Sequence, residues 1–345
     1  MKRVLPRGAA VALAISPLFL VAACGSDTSG SGSSAEDTGG GTTKVAAVIK
    51  GLDNQFFQTM RDGILDEAKS SGVDVEVQAA QSITDTTGQA EKLSALAQQD
   101  YGCYVVNPIT GNNLVQGLAQ IAAKDVPIVN IDRPVDADAA DAAGLTLTTY
   151  IGTDNVAAAE LDGKEMVKQL GGTGTVAIIG GVAGDVTSND RVEGFTNATK
   201  GTLTLLPVVA ADWDRQKALT AATDLMQAHP DLVGIFAAND DMGLGAAKAV
   251  TDAGKTGDIK VMSLDGNTDA IEAVQSGQLA ATVAQYPYAV GQLGVQACEA
   301  AIAGRSVPED IKAPVALITQ DEAADALAKF PAPFKEFDNP LPDLG

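Results

Sequence analysis

Histidine, aromatic residues, cysteine and cations are all scarce in this chain, and each shortage removes a class of function. A single histidine, His229, stands among 345 residues, which leaves no material for a histidine-based catalytic triad or a histidine-rich metal site. It sits in Ala228-His229-Pro230-Asp231, where a helix ends before a strand and an imidazole suits the helix dipole. Lysine and arginine number 23 against 44 aspartates and glutamates, for a formal charge of −21. So acidic a surface repels phosphate, and nucleic acid is not the expected partner. Glycine-rich stretches lack a phosphate-binding ending: Gly171-Gly172-Thr173-Gly174 precedes its strand, on the wrong side for a phosphate cradle, and no Gly-Lys-Ser/Thr follows. Asp265-Gly266-Asn267-Thr268-Asp269 begins like a calcium loop. Ala270, however, stands where that loop needs glycine, and Ser276 where it needs a bidentate glutamate. Neither a cofactor nor a metal is expected.

A long apolar run is also missing. The stretch from Ala9 to Leu20 is shorter than the roughly 20 residues a bilayer core needs, and Pro17 interrupts it. With Lys2, Arg3 and Arg7 before it and Leu20-Val21-Ala22-Ala23-Cys24 after it, the segment reads as an export signal over residues 1–23. Small residues ahead of a cysteine resemble the lipobox of bacterial lipoproteins, which implies cleavage before Cys24 and a diacylglyceryl group on its sulfur. Removing residues 1–23 takes away three cations and no acid, so the charge falls from −21 to −24. Residues 24–43 are then a lipidated cysteine and a Ser/Gly/Thr tether spanning about 25 Å. The expected location is the outer face of the cytoplasmic membrane, with the lipid as the sole membrane contact.

From Lys44 onward about 300 residues remain, enough for two ordinary domains. Short β-branched runs alternate with helix-period segments such as Phe57, Met60, Gly63 and Ile64, the pattern of parallel βα units covered on both faces. Strands are expected at Val45–Lys50, Val73–Ala79, Gly102–Asn107 and Val126–Asp132. A second set follows at Thr175–Gly180, Thr204–Ala210, Leu232–Ala237, Lys260–Leu264 and Leu279–Gln285. Cys103 opens one of the strands and Cys298 lies in an apolar helix pattern; two buried thiols and a disulfide both remain open.

Parallel sheets bind ligands beyond the carboxyl ends of their strands. Just past those ends lie Lys50, Asn54, Phe56, Phe57, Asn107, Asp132, Arg133, Arg191, Trp213, Asn239, Asp265 and Gln285. Carboxylates accept from hydroxyls, guanidinium groups donate in forks, and amides do both. In a chain only 4% aromatic, Phe56, Phe57 and the sole tryptophan supply flat faces for the C–H side of a ring. Phe57 also fits the helix core spacing. Three cations against two acids favour a neutral, polyhydroxyl guest.

These residues resemble the ribose- and allose-binding group of periplasmic binding proteins, the sugar receptors of bacterial ABC importers, from about Lys44 to Gln320. Leu52-Asp53-Asn54-Gln55-Phe56-Phe57 stands where the ribose-type pattern has Leu-Asn-Asn-Pro-Phe-Phe, with Gln55 replacing the proline. Asp132-Arg133, Arg191 ahead of Val192-Glu193-Gly194-Phe195, Trp213, Asn239-Asp240, Asp265-Gly266 and Gln285 match the remaining positions. Lys50 resembles the allose type and Arg133 the ribose type. The resemblance implies two Rossmann-like α/β lobes with parallel sheets joined by a three-crossing hinge. The amino-terminal lobe would be 44–152 with 286–313, the carboxyl-terminal lobe 153–285 with 314–320, and 321–345 a tail along a lobe surface. It implies a monomer that closes on a small sugar or polyol and presents it to an ABC permease and its ATPase. A sensory receptor reporting to a membrane kinase uses the same cleft and is the alternative. Catalysis by Asp132 and Asp265 flanking a sugar is the enzyme reading; the expectation is that the chain is not an enzyme. A transcription regulator of this fold would need a helix-turn-helix ahead of Lys44, and there is none.

Overall fold

The computed structural model describes residues 44–335 and 337–341. The expected signal peptide, lipidated cysteine and tether, residues 1–43, lie outside the described residues. The first sheet is built from β1 (Lys44–Ile49), β2 (Asp74–Ala79), β3 (Cys103–Val106), β4 (Ile128–Ile131) and β5 (Thr149–Gly152), connected by α1 (Gln55–Ser71), α2 (Thr86–Leu96), α3 (Val115–Ala122) and α4 (Ala137–Ala143). The chain then enters a second α/β unit through α5 (Asn155–Gln169), β6 (Thr175–Gly180) and α6 (Val186–Thr199). It continues through β7 (Thr204–Leu205), β8 (Val209–Ala210), α7 (Arg215–Ala228), β9 (Leu232–Ala237), α8 (Asp240–Asp252), β10 (Lys260–Asp265), α9 (Thr268–Gln275) and β11 (Ala281–Gln285). Last come α10 (Pro287–Ile302), β12 (Asp310–Lys312), β13 (Val315–Ile318) and α11 (Ala323–Lys329).

The sheet orders are β12-β5-β4-β3-β1-β2 and β13-β11-β10-β9-β6-β7, with β8 also on β6. Pairing is parallel throughout except for β13, which runs antiparallel on β11. Side-chain alternation splits each sheet between two cores. In β1, Val45, Ala47 and Ile49 face the apolar sides of α1 and α10, while Ala46 and Val48 face α2 and α3. In the second sheet Ile235 and Val261 pack under α7, α8 and α9; Phe236 and Met262 pack under α5 and α6. The result is two doubly covered α/β lobes, the arrangement that buried, near-continuous apolar strands require.

The chain passes between sheets after β5, between β11 and α10, and between β12 and β13. Although α10 follows a strand of the second sheet, Val290, Leu293, Val295 and Ala297 bury against the first. There Cys298 is joined to Cys103 of β3 by a disulfide, with Cα atoms 5.7 Å apart.

Three features differ from the sequence expectation. The run Thr204–Ala210 is two short strands, because Pro207 lies between them and lacks the N–H a ladder needs. The short strands β5, β12 and β13 fall in segments with no expected strand. The tail serves both lobes: Phe334 joins the core under α9, whereas Phe337 and Leu341 pack with the core of the first sheet. After α11 the prolines Pro331, Pro333 and Pro340 break up regular structure, and the spaced apolar side chains there reach separate cores.

Candidate functional site

Eleven of the twelve strand-end residues singled out in the sequence line one cavity of about 270 Å³ between the lobes. That is just under the roughly 300–1,000 Å³ of drug-sized pockets and suits a single small ring or a short chain. Lys50, Asn54, Phe56, Phe57, Asp132 and Arg133 come from the first sheet's strand ends; Arg191, Trp213, Asn239, Asp265 and Gln285 come from the second lobe. Asn107, also beyond a strand end, is not among the lining residues. It is fully buried, its carbonyl accepting from Gln89 Nε2 at 2.8 Å.

Helix caps place several of these groups. Asn54 caps α1, its Oδ1 accepting from Phe56 N at 2.8 Å, and Asn239 caps α8, accepting from Met242 N at 3.0 Å. Such capping satisfies helix N–H groups that would otherwise lack a partner and holds the amide in one rotamer. Phe56 and Phe57 meet edge to face, 5.2 Å between centroids, and both belong to the first lobe's core as well as to the cavity wall. Lys50 Nζ stands 5.0 Å above the Phe57 ring.

Across the cleft, Trp213 lies against the Gly181 backbone so closely that a Cβ there would sit 2.2 Å from Cε2 of the indole. Asp212 and Trp213 both have left-handed φ, 52° and 63°. Asp132 (59°) and Asp265 (150°) are also positive, so four of the five such non-glycine residues among the described residues line this cavity. Backbone held in sparsely populated regions persists where surroundings over-determine it, and it concentrates at binding sites.

The charges are paired. Lys50 Nζ donates to Asp132 Oδ2 at 3.2 Å, Arg133 pairs with Asp185, and Arg191 Nη1 donates to Asp265 Oδ1 at 3.2 Å. Asp185, which caps α6, changes the balance read from sequence, because every cation in the cavity now has its own carboxylate. Asp212, a further lining acid, pairs outward with Lys217 at 2.7 Å. Arg191 is almost wholly buried. Its Nε donates to Asn155 Oδ1 at 2.9 Å and its Nη1 to the Ala238 carbonyl at 2.7 Å, which fixes the guanidinium plane. The Nε of Arg133 is buried and finds no acceptor among the described residues.

Asp265 Oδ1 also accepts from Gln285 Nε2 at 2.7 Å. Burial pushes this carboxyl up, to about 7, against the pull of the Arg191 guanidinium. Behind it Asp240, raised by burial as well, accepts from Ser263 Oγ, Thr282 Oγ1 and Asn267 N at 2.6–2.8 Å. It ties α8 to β10 and β11 without reaching the cavity.

Sequence reasoning did not single out Asp185, Asn155, the apolar lining residues Ile83, Ile109 and Val182, or Thr84, Thr86, Thr110 and Thr187. Asp185 carried a readable signal, an aspartate just ahead of a helix. Asn155 carried none, since its partner lies 36 residues away.

Comparison with known proteins places this geometry. Residues 45–306 match the family model described as a periplasmic binding protein domain. The chain is similar to the D-allose-binding periplasmic protein of Escherichia coli (strain K12), 38% identical over 79% of this chain and 88% of that protein. It is similar also to the ribose import binding protein RbsB of Bacillus subtilis (strain 168), 33% identical over 88% of this chain and 96% of that one. Among solved structures, a solute binding protein from Actinobacillus succinogenes 130z with bound D-allose superposes with a TM-score of 0.78 at 28% identity, covering 82% of this chain and 99% of that one. One from Mycobacterium smegmatis with bound glycerol gives 0.74 at 33% identity, covering 82% and 96%. The chain belongs to the periplasmic binding proteins, among the sugar-binding solute proteins of ABC importers.

Proposed function

We propose that this protein binds one small neutral monosaccharide, ribose- or allose-like, or a polyol, between its lobes and delivers it to an ABC permease and its ATPase. The observation that carries the reading is the cavity's charge balance. Lys50, Arg133 and Arg191 are each matched by Asp132, Asp185 and Asp265, which leaves hydrogen-bonding capacity without excess charge. An anionic guest would need unpaired cations; a hydroxylated neutral one uses donors and acceptors together. The free Nε of Arg133 supplies a donor, and Trp213 with Phe56 and Phe57 supplies the faces for C–H groups.

The eleven residues act as the ligand contacts, and the lobes comprise 44–152 with 286–313 and 153–285 with 314–320. Lipidated Cys24 holds the monomer at the outer face of the membrane, and residues 321–345 form the tail. A thermal-shift screen of aldopentoses, aldohexoses and C4–C6 polyols tests the reading. A ligand at 100 times its dissociation constant adds about 2.7 kcal/mol of stability. With sugar acids and sugar phosphates run beside the neutral compounds, a shift by the anionic compounds alone would overturn the neutral-guest assignment.

A further inference from the structure

Gln55, the first residue of α1, is absent from the cavity wall and instead reaches into the opposite lobe. Its Nε2 donates to Thr268 Oγ1 at 2.8 Å and its Oε1 accepts from Thr268 N at 3.2 Å. Thr268 opens α9, so the side-chain amide of one lobe holds a hydroxyl and an otherwise unpartnered helix N–H of the other. One residue earlier, Asn54 Nδ2 donates to Asp241 Oδ2 at 2.8 Å. Asp241 is held in turn by Arg215 at 2.7 Å, and Arg215 also grips Asp269 at 2.7 Å. The start of α1 thus docks on the starts of α8 and α9.

We infer that Gln55 is a latch: a positioning residue that sets how much of the protein is closed, and hence how tightly it holds sugar, without touching the sugar. The inference rests on the reading of the cavity as a closing sugar site. Contacts between lobes exist only when the lobes meet, so they favour the closed arrangement whatever occupies the cavity. Apparent affinity scales with the fraction of molecules in the competent state. A clamp outside the cavity therefore tightens binding chiefly by slowing release, since reopening must break it and encounter with the open form does not.

Position 55 is the first residue of its helix, where proline fits because the missing N–H has no intrahelical role. Gln55→Pro therefore removes the clamp while preserving the helix start, and Thr268→Val removes it from the opposite side. Small-angle scattering on the sugar-free mature protein reads the open fraction directly. The expected result is a larger radius of gyration for both variants than for the parent, with melting of the sugar-free forms unchanged. With D-allose as probe and Trp213 fluorescence as signal, stopped flow should give release about fivefold faster, the worth of one or two neutral hydrogen bonds, with association no slower than in the parent. Identical radii in parent and both variants would overturn the latch, as would slower association with unchanged release. Failure of the parent to bind D-allose would count against the choice of sugar alone, because the scattering comparison still decides the latch.

Discussion

At the residue scale the cavity asks most of Asp132 and Asp265, the two carboxylates that end their strands with positive φ. A hydrogen bond to a charged group nets about 1.5–3 kcal/mol, so Asp132→Ala or Asp265→Ala should each weaken binding at least tenfold by calorimetry with the tightest sugar of the screen. Unchanged affinity in both would remove them from the site. Asp265 also gives binding a pH dependence. Its folded-state carboxyl is raised to about 7, and a guest hydroxyl donates best to the ionised form. Affinity should climb as pH rises through about 7 and level above it; a flat profile would show that the guest ignores this carboxylate. A second carboxyl, Asp162 on α5, is fully buried, and neither oxygen has a partner among the described residues. Burial raises it well above the ordinary range. A raised acid binds a proton that the unfolded chain has lost, so its contribution to stability declines as pH rises from about 4 toward the folded value. Asp162→Asn lacks that decline, and its melting advantage over the parent should widen from pH 5 to pH 8. An advantage that stays constant would assign the gain to packing.

At the scale of elements, the alternation of apolar runs made the parallel strands legible, and strand ends led to eleven of the twenty cavity-lining residues because such sheets expose their loops on one side. Legibility failed where the determinant is not local. Thr149–Gly152 is too short to carry a period, and its strand exists because β4 and β12 offer ladders on either side. Asn155 serves Arg191 from another helix, and no spacing announces that. The disulfide was one of two open readings, since the Cα separation that permits it depends on α10 returning to the first lobe. That bond closes a span of 195 residues and joins an element reached from the second sheet to the middle of the first. Replacing both Cys103 and Cys298 by alanine should lower unfolding stability by about 2–4 kcal/mol. Sugar affinity should be retained, because neither residue lines the cavity. Denaturation with and without reductant checks this: equal midpoints would mean the native contacts alone hold α10 in place.

For the whole molecule, the contrast is between a chain of formal net charge −21 and a cavity whose cations are individually neutralised. An anionic guest would approach against the field of the whole protein, and its affinity would change steeply as salt shortened the Debye length from about 30 Å at 0.01 M to 3 Å at 1 M. A neutral sugar feels no such field at long range. Inside, the three ion pairs are largely shielded by the protein itself; Arg191 and Asp265 have side chains only 6% and 8% exposed, so added salt reaches them weakly. Two consequences follow for one titration series. Between 0.02 and 0.5 M sodium chloride the dissociation constant of the cognate sugar should move less than about twofold, and association should not slow as salt falls. A dissociation constant that changes by an order of magnitude across that range would mean the guest carries charge, and the pairing of Lys50, Arg133 and Arg191 would then have to break when it enters.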